Sequence, residues 1–283
     1  MIKVAIIGTG NIGTDLLIKL LQVDYLEVVA FVGRRDNSKG IELARSKSIL
    51  CSSLGINYFV NNPICCEIVY DCTNAEDAVK HAKIFEKQKI KVIDLTPAKV
   101  GPLCVPSIDS DALRGNNNVN MITCGGQASL PLLSIVKKHC KSINYIELIS
   151  KIASDSAGMG TRINIDKYIE TTEAAIEKYT GCKDKKVILN LNPAVPQVDM
   201  QTTVFIEASI PNFQELKDEI HNQIVELREY IPHYQLVMDP VYKDKVLILS
   251  IKVRGSGDFL PSYAGNLDII NCAAIQITKS YAG

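Results

Sequence analysis

The chain carries no surplus of charge of either sign: Lys and Arg number 31, as do Asp and Glu, over 283 residues. A nucleic-acid binder needs excess basic side chains to displace counterions from phosphates, so that class is excluded. No apolar run reaches the roughly 20 residues that cross a bilayer, so no membrane partner is expected. Met1-Ile2-Lys3-Val4-Ala5 runs directly into a strand, leaving no room for a signal peptide, and a cytoplasmic location is expected. The nine cysteines (Cys51, Cys65, Cys66, Cys72, Cys104, Cys124, Cys140, Cys182 and Cys272) are odd in number and contain no CxxC pair. Neither a disulfide framework nor a metal site is therefore expected, and most of these thiols read as small buried hydrophobes. There is no internal repeat and no linker rich in Pro, Gly or Ser. What remains is an ordinary globular composition, 47% apolar and 22% charged, on a chain long enough for two cores.

Periodicity divides the chain in two. Over the first ~95 residues β-branched runs alternate with helical patterns. Strands are predicted at Lys3–Ile7, Leu26–Val32, Glu67–Cys72 and Lys91–Leu95, with helices at Ile12–Gln22, Ile41–Lys47 and Ala75–Gln88, and a further strand at Val119–Thr123. This rhythm implies right-handed βαβ units in a parallel sheet. After Cys124 a helix is predicted at about Ser129 to Cys140, followed by longer strands at Tyr145–Ala153, Lys186–Asn190, Thr203–Ala208 and Val246–Val253. Amphipathic helices at Ile165–Tyr179 and Phe213–Tyr230 lie between them, and a last helix at about Tyr263–Ser280 is expected to return to the first domain. The expected fold is α/β: an N-terminal Rossmann domain with a parallel sheet (1–124, completed by 263–283) and an α+β second domain with a mixed or antiparallel sheet (125–262).

Gly8-Thr9-Gly10-Asn11-Ile12-Gly13 follows an apolar strand and opens a helix. In that setting the first glycine makes the tight turn, the second admits the pyrophosphate and the third lets helix and strand pack closely. The phosphates then sit on the free N–H groups of the helix N-terminus. An NAD enzyme usually ends its second strand with an acid for the ribose 2′-hydroxyl; this chain reads Val32-Gly33-Arg34-Arg35-Asp36. Arg34 and Arg35 suit a 2′-phosphate, so the cofactor expected is NAD(P), with NADP favoured, while Asp36 reaching the ribose is the alternative.

The segment Asn120-Met121-Ile122-Thr123-Cys124-Gly125-Gly126-Gln127-Ala128 resembles the nucleophile segment of the acylating acetaldehyde dehydrogenases, CoA-dependent enzymes that partner 4-hydroxy-2-oxovalerate aldolase. Similar stretches run through the chain: Val4–Thr14, Val92–Pro106, Ser156–Arg162, Asn190–Pro193 and Pro261–Ile269. The resemblance implies Cys124 as the nucleophile, coenzyme A as co-substrate, a catalytic and dimerisation role for the second domain, a homo-oligomer, and a possible aldolase partner. It also implies cofactor contacts from Ser156, Ala157, Gly158, Gly160, Thr161, Arg162 and Asn266, with Arg162 on a CoA phosphate. The residues agree with such chemistry. A thiolate at a helix N-terminus, flanked by glycines that admit substrate, is the expected arrangement, and it calls for a partly exposed Cys of lowered pKa. Ser156–Arg162 reads as a strand-to-helix turn able to form an anion nest, and Asn266 as a hydrogen-bonding amide or a helix cap.

One position departs from the family. Its thiol-activating aspartate lies in a Met-Arg-Asp-Thr-Val stretch, whereas this chain reads Met200-Gln201-Thr202-Thr203-Val204. Asp199 is three residues away, on the opposite face if the segment is a strand. None of His81, His139, His221 and His233 lies in a motif for a base; His81 and His221 are expected to be solvated on helices. Three readings stay open: a thiol activated by the helix terminus and nicotinamide charge, a different acyl substrate, or a weakened relative. A semialdehyde or acyl-phosphate reductase and a nucleotide-binding subunit without activity are the rival classes.

Overall fold

The computed structural model describes residues 1–63 and 66–282, so Cys65 lies outside the described residues. The chain divides into two compact units. The first holds Met1–Met121, Gly257–Leu260 and the chain from Ile270 onward; the second holds Ile122–Ser256 and Pro261–Ile269.

In the first unit the elements run β1 (Ile2–Ile7), α1 (Asn11–Leu20), β2 (Leu26–Val32), α2 (Lys39–Ser46), β3 (Cys51–Ser52), α3 (Asn57–Asn61), β4 (Ile68–Asp71), α4 (Ala75–Gln88), β5 (Lys91–Asp94), α5 (Ala112–Gly115) and β6 (Asn118–Asn120). The strands form one parallel sheet in the order β3-β2-β1-β4-β5-β6. Val4–Ile7 and Ile68–Asp71 are buried throughout, as expected for central strands covered on both faces. The order reverses between β1 and β4, and a ligand crevice forms beyond the carboxyl ends of strands at such a point.

Those carboxyl ends carry buried acids. Asp71 and Asp94 are register partners. Asp71 accepts from Thr73 N at 3.0 Å and pairs with His81 Nδ1 at 2.7 Å. His81 is therefore buried and partnered, correcting the expectation of a solvated helix residue: its α4 face packs on the sheet, where a carboxylate satisfies the ring. Asp94 accepts from Thr96 N at 2.8 Å and Asn120 Nδ2 at 2.9 Å, and burial, reinforced by Asp71, raises its pKa to about 7.

The second unit begins with α6 (Cys124–His139) and continues through β7 (Ser142–Ala153), α7 (Met159–Ile163), α8 (Ile165–Thr180), β8 (Lys185–Asn192), β9 (Met200–Ser209), α9 (Phe213–Leu227), β10 (Tyr234–Leu236), β11 (Val241–Lys243) and β12 (Val246–Val253). Its sheet has the order β10-β12-β9-β7-β8, with β11 on β12. The β7–β8 pair is parallel and the others antiparallel, so the sheet is mixed. The parallel pair needs a crossover, which α7 and α8 supply. Alternation buries Ile146, Leu148, Ser150 and Ile152 of β7 and Met200, Thr202, Val204 and Ile206 of β9, while β12 buries Leu247 and the run Leu249, Ser250 and Ile251. Helices α6 and α8 pack together, and α9 packs on α6. The final helix, α10 (Gly265–Ala282), runs from the second unit into the first, where Tyr70 Oη and Thr278 Oγ1 meet at 2.6 Å.

Two boundaries differ from expectation in ways that matter. Helix α6 begins at Cys124 rather than Ser129. Gly125, Gly126 and Pro131 argue against helix by propensity, but the Thr123 side chain caps the end by accepting from Gly126 N at 3.0 Å. Strand β6 ends at Asn120 rather than Thr123, because Ile122 turns into the left-handed region (φ 64°) to redirect the chain.

Candidate active site

The dinucleotide turn follows β1. Gly8 has φ +111°, which an L side chain rarely adopts, and a Cβ there would lie 2.5 Å from the Cys72 carbonyl oxygen. A Cβ on Gly13 would lie 1.9 Å from the Gly8 oxygen, so helix α1 can rest against the turn only with glycine there. A Cβ on Gly10 would meet nothing within 4 Å, so the backbone there is open to close approach by a ligand. Gly10 also N-caps α1 with no capping side chain, leaving the helix-terminal donors of Asn11 and Ile12 for an anion. Thr9 Oγ1 lies 3.2 Å from Ser38 Oγ, tying the turn to the start of α2. These features fit a dinucleotide.

Beyond β2 the three charged residues are not equivalent. Arg34 is paired with Asp77 at 3.1 Å. Asp36 is paired with Arg45 at 2.5 Å. Arg35 is exposed.

In the second unit, the turn through Ile122 delivers Cys124 as the first residue of α6. Left-handed backbone on a β-branched residue is strained, and such strain persists only where the surroundings fix it. Here Ile122 packs against Gly126, where a Cβ would lie 2.7 Å from Ile122 Cγ2. Thr123 Oγ1 bonds Thr172 Oγ1 at 2.8 Å, and Thr172 in turn donates to the Tyr168 carbonyl at 2.7 Å, so α6 and α8 are pinned at this end.

Cys124 is 8% exposed. Its Sγ contacts Tyr168 Oη at 3.7 Å, and the same oxygen accepts from Gly125 N at 3.1 Å. Tyr168 is further hydrogen-bonded to Ser150, whose Oγ lies 3.0 Å from Thr202 Oγ1. Burial pushes the thiol up to about 11, against lowering by the Tyr168 hydroxyl and the backbone N–H groups of Gly125 and Cys124. This corrects the expectation of a partly exposed thiol of lowered pKa: the helix terminus favours the thiolate by only about 0.3–1 kcal/mol, less than desolvation opposes it. Tyr168 and Ser150 were not among the residues singled out by sequence. Ser150 and Thr202 leave a trace there as hydroxyls interrupting apolar rows, whereas Tyr168 sits at a core-facing helix position and reads as packing.

Asp199 precedes β9 and faces Arg254 Nε at 3.4 Å and Lys252 Nζ at 3.9 Å, so its charge is engaged away from Cys124. His139 pairs with Glu219 at the far end of α6, and exposed His221 lies 3.4 Å from Asp239. Ser156 closes a single 3-10 turn and donates to the Ala153 carbonyl at 2.8 Å. Ala157 is buried, Gly158 faces open space, and Gly160, Thr161 and Arg162 fall in α7. Arg162 donates to the Ala157 carbonyl at 3.0 Å, the Ser154 carbonyl at 3.0 Å and Ser154 Oγ at 2.8 Å, clamping its own loop. Asn266 is 3% exposed, and its Oδ1 has no partner among the described residues: an acceptor suited to a carboxamide N–H.

Two family models match the chain. One, described as prokaryotic acetaldehyde dehydrogenase, dimerisation, matches residues 124–261; the other, semialdehyde dehydrogenase, NAD binding domain, matches residues 3–116. An acetaldehyde dehydrogenase of Spirochaeta aurantia is 48% identical over 99% of this chain and 95% of its own length. That of Pectobacterium atrosepticum is 44% identical over 98% and 95%, and that of Geobacillus stearothermophilus 38% over 99% and 96%. A crystal structure of aspartate semialdehyde dehydrogenase II from Vibrio cholerae, complexed with ASA, superposes with a TM-score of 0.70. It covers 100% of this chain and 98% of that one at 15% identity, a likeness of fold alone.

Proposed function

The chain belongs to the acetaldehyde dehydrogenase family, and from that premise we propose that it interconverts acetaldehyde, CoA and NAD(P)+ with acetyl-CoA and NAD(P)H through a thioester on Cys124. The observation that carries this reading is the placement of Cys124 at the first position of α6, with Tyr168 Oη 3.7 Å from its sulfur.

The Cys124 sulfur adds to the aldehyde carbon, and the thiol proton ends on the carbonyl oxygen. A nicotinamide bound there would supply the acceptor for the hydride on that carbon; the hydroxyl proton passes to solvent and a thioester remains on Cys124. The thiol of CoA then attacks, the Cys124 sulfur departs, and the CoA proton restores the thiol. Burial keeps Cys124 protonated and Thr202 stands where the family places a carboxylate, so the helix terminus and the positive charge that a bound oxidised nicotinamide would supply are what favour the thiolate. Gly8, Thr9, Gly10, Asn11, Ile12 and Gly13 would hold the pyrophosphate, and Asn266 Oδ1 would accept from the carboxamide. Ser156, Ala157, Gly158, Gly160, Thr161 and Arg162 form the loop toward the cofactor or CoA, with Arg162 setting its shape.

For the dinucleotide we favour NADP(H), since Asp36 is held by Arg45 and Arg35 stands exposed at the end of β2. A homodimer through residues 124–261, and an aldolase partner implied by the resemblance, belong to the same proposal. The test is formation of reduced nicotinamide from acetaldehyde with and without CoA. Sustained turnover that requires CoA and is abolished by Cys124→Ser supports the proposal; turnover that requires phosphate instead of CoA, or survives the substitution, refutes it.

A further inference from the structure

The hydroxyls behind Cys124 form a line from α6 into the sheet: Cys124 Sγ to Tyr168 Oη at 3.7 Å, Tyr168 to Ser150, and Ser150 Oγ to Thr202 Oγ1 at 3.0 Å. Ser150 and Thr202 are direct partners across the β7–β9 ladder and are 0% and 1% exposed. They stand in rows that are otherwise aliphatic, and no charge is introduced with them. The approach depends on Gly125, where a Cβ would lie 2.3 Å from Tyr168 Oη and 2.5 Å from Ser150 Oγ.

The protons of such a line can be counted. With the thiol protonated, Tyr168 Oη accepts from Gly125 N–H and from Sγ–H, filling both lone pairs. The phenolic hydrogen must then point at Ser150 Oγ, and the Ser150 hydrogen at Thr202. When the sulfur carries negative charge it donates nothing, and the line can reverse. Tyr168 O–H turns to the sulfur, Ser150 donates to Oη, and Thr202 donates to Ser150. Both directions leave Tyr168 and Ser150 satisfied. A carboxylate at position 202 accepts only, which would hold Ser150 and Tyr168 pointing away from the sulfur. A threonine permits the reversal.

We propose that Tyr168 is a second catalytic residue, a neutral hydroxyl that accepts from the resting Cys124 thiol and donates to its sulfur when charge develops there, with Ser150 and Thr202 forming the reversible backstop. Tyr168 gains and loses no proton; only the direction of its O–H changes. Burial holds its own pKa well above the usual tyrosine value, as suits a donor and not a base. Charge reaches the sulfur twice, at attack on the aldehyde and at departure from the thioester. The inference rests on Cys124 being the nucleophile. Of the other titratable groups on elements packed around α6, Tyr234 of β10 donates to the Ala128 carbonyl and Glu219 of α9 pairs with His139 at the far end.

The test is the pH dependence of Cys124 alkylation by iodoacetamide in the whole, cofactor-free protein, followed by peptide mass spectrometry. A hydrogen bond to an ionised sulfur is worth enough that Tyr168→Phe should raise the midpoint by about one pH unit, slowing alkylation about tenfold at fixed pH. Ser150→Ala, the milder variant, removes the acceptor that holds the phenolic hydrogen away and should move the midpoint down. Acylation by acetaldehyde should slow in Tyr168→Phe with KM for acetaldehyde unchanged. An unshifted midpoint in Tyr168→Phe overturns the proposal, as does a shift of the same sign in both variants. Should Tyr168→Phe not fold, an unchanged or raised midpoint in Ser150→Ala overturns it alone. Turnover surviving in Cys124→Ser would instead sink the nucleophile assignment, a separate result.

Discussion

Replacing Gly125 by alanine tests the crowding on which the site depends. Gly125 is the second residue of α6, a position that alanine occupies readily, and by propensity alone the change favours the helix by about 1 kcal/mol. The new methyl carbon, however, would lie 2.3 Å from Tyr168 Oη and 2.5 Å from Ser150 Oγ, where 3.0 Å is the least separation a real Cβ shows. Tyr168 Oη must therefore withdraw by 3.0 minus 2.3, about 0.7 Å, and Ser150 Oγ by about 0.5 Å. The ring is buried and rigid, so the movement stretches the 3.1 Å bond from Gly125 N and the 3.7 Å contact to Cys124 together. Overpacking is worth about 1–3 kcal/mol and a buried unpaired donor about as much. Less the helical gain, the second unit should lose about 3 kcal/mol and melt roughly 10 °C lower. Because a misplacement approaching 1 Å near the chemistry slows catalysis strongly, kcat should fall by at least about tenfold. Calorimetry and CoA-dependent reduction of the nicotinamide read both quantities. A variant as stable as the parent and within twofold of its kcat would refute the reasoning, since Tyr168 and Ser150 would then have room to spare.

Three further outcomes are expected. Arg35→Asp should raise KM for NADP+ far more than KM for NAD+; equal effects would remove Arg35 from the 2′-phosphate site. Thr123→Ala removes the cap on Gly126 N and the bond to Thr172, and should lower stability by about 1 kcal/mol in a chemical denaturation series, with no change speaking against the cap. Asp94 holds its proton to about pH 7 when folded but releases it near 4 when unfolded, so between those values the folded state binds more protons. Its contribution to stability is present in full below about pH 4 and is lost as pH rises to about 7. A carbon NMR titration of this carboxyl with its midpoint near 4 would contradict the burial argument.

The sequence carried the fold further than it carried the site. Central strands such as β1 and β12 announce themselves as runs dominated by β-branched and apolar residues, and Val246–Val253 is bounded as expected. The two- and three-residue strands β3, β10 and β11 have too few residues to show a period, and the parallel pairing of β7 with β8 is a tertiary choice that alternation cannot express. The start of α6 was hidden by glycines whose low helix propensity is overridden by the Thr123 cap and by close packing against Ile122 and Tyr168. The same packing explains why Cys124 departs from the expectation of a partly exposed thiol of lowered pKa. Residue type and helix terminus are local and legible, but desolvation is set by α8 and the sheet, which lie elsewhere in the sequence. Tyr168 was invisible for a related reason: one hydroxyl on the buried face of an amphipathic helix has the pattern of a core residue until its neighbours are known.

The most direct test of the central claim is to trap the acyl-enzyme. The protein is mixed with acetaldehyde and either NAD+ or NADP+ without CoA, quenched in acid, and analysed by intact and peptide mass spectrometry. The expected result is a mass gain of one acetyl group on the peptide containing Cys124, formed together with one equivalent of reduced cofactor and removed on adding CoA. Reduced cofactor forming with no acyl group on Cys124, or an acyl group that CoA does not remove, would contradict thioester catalysis by this residue.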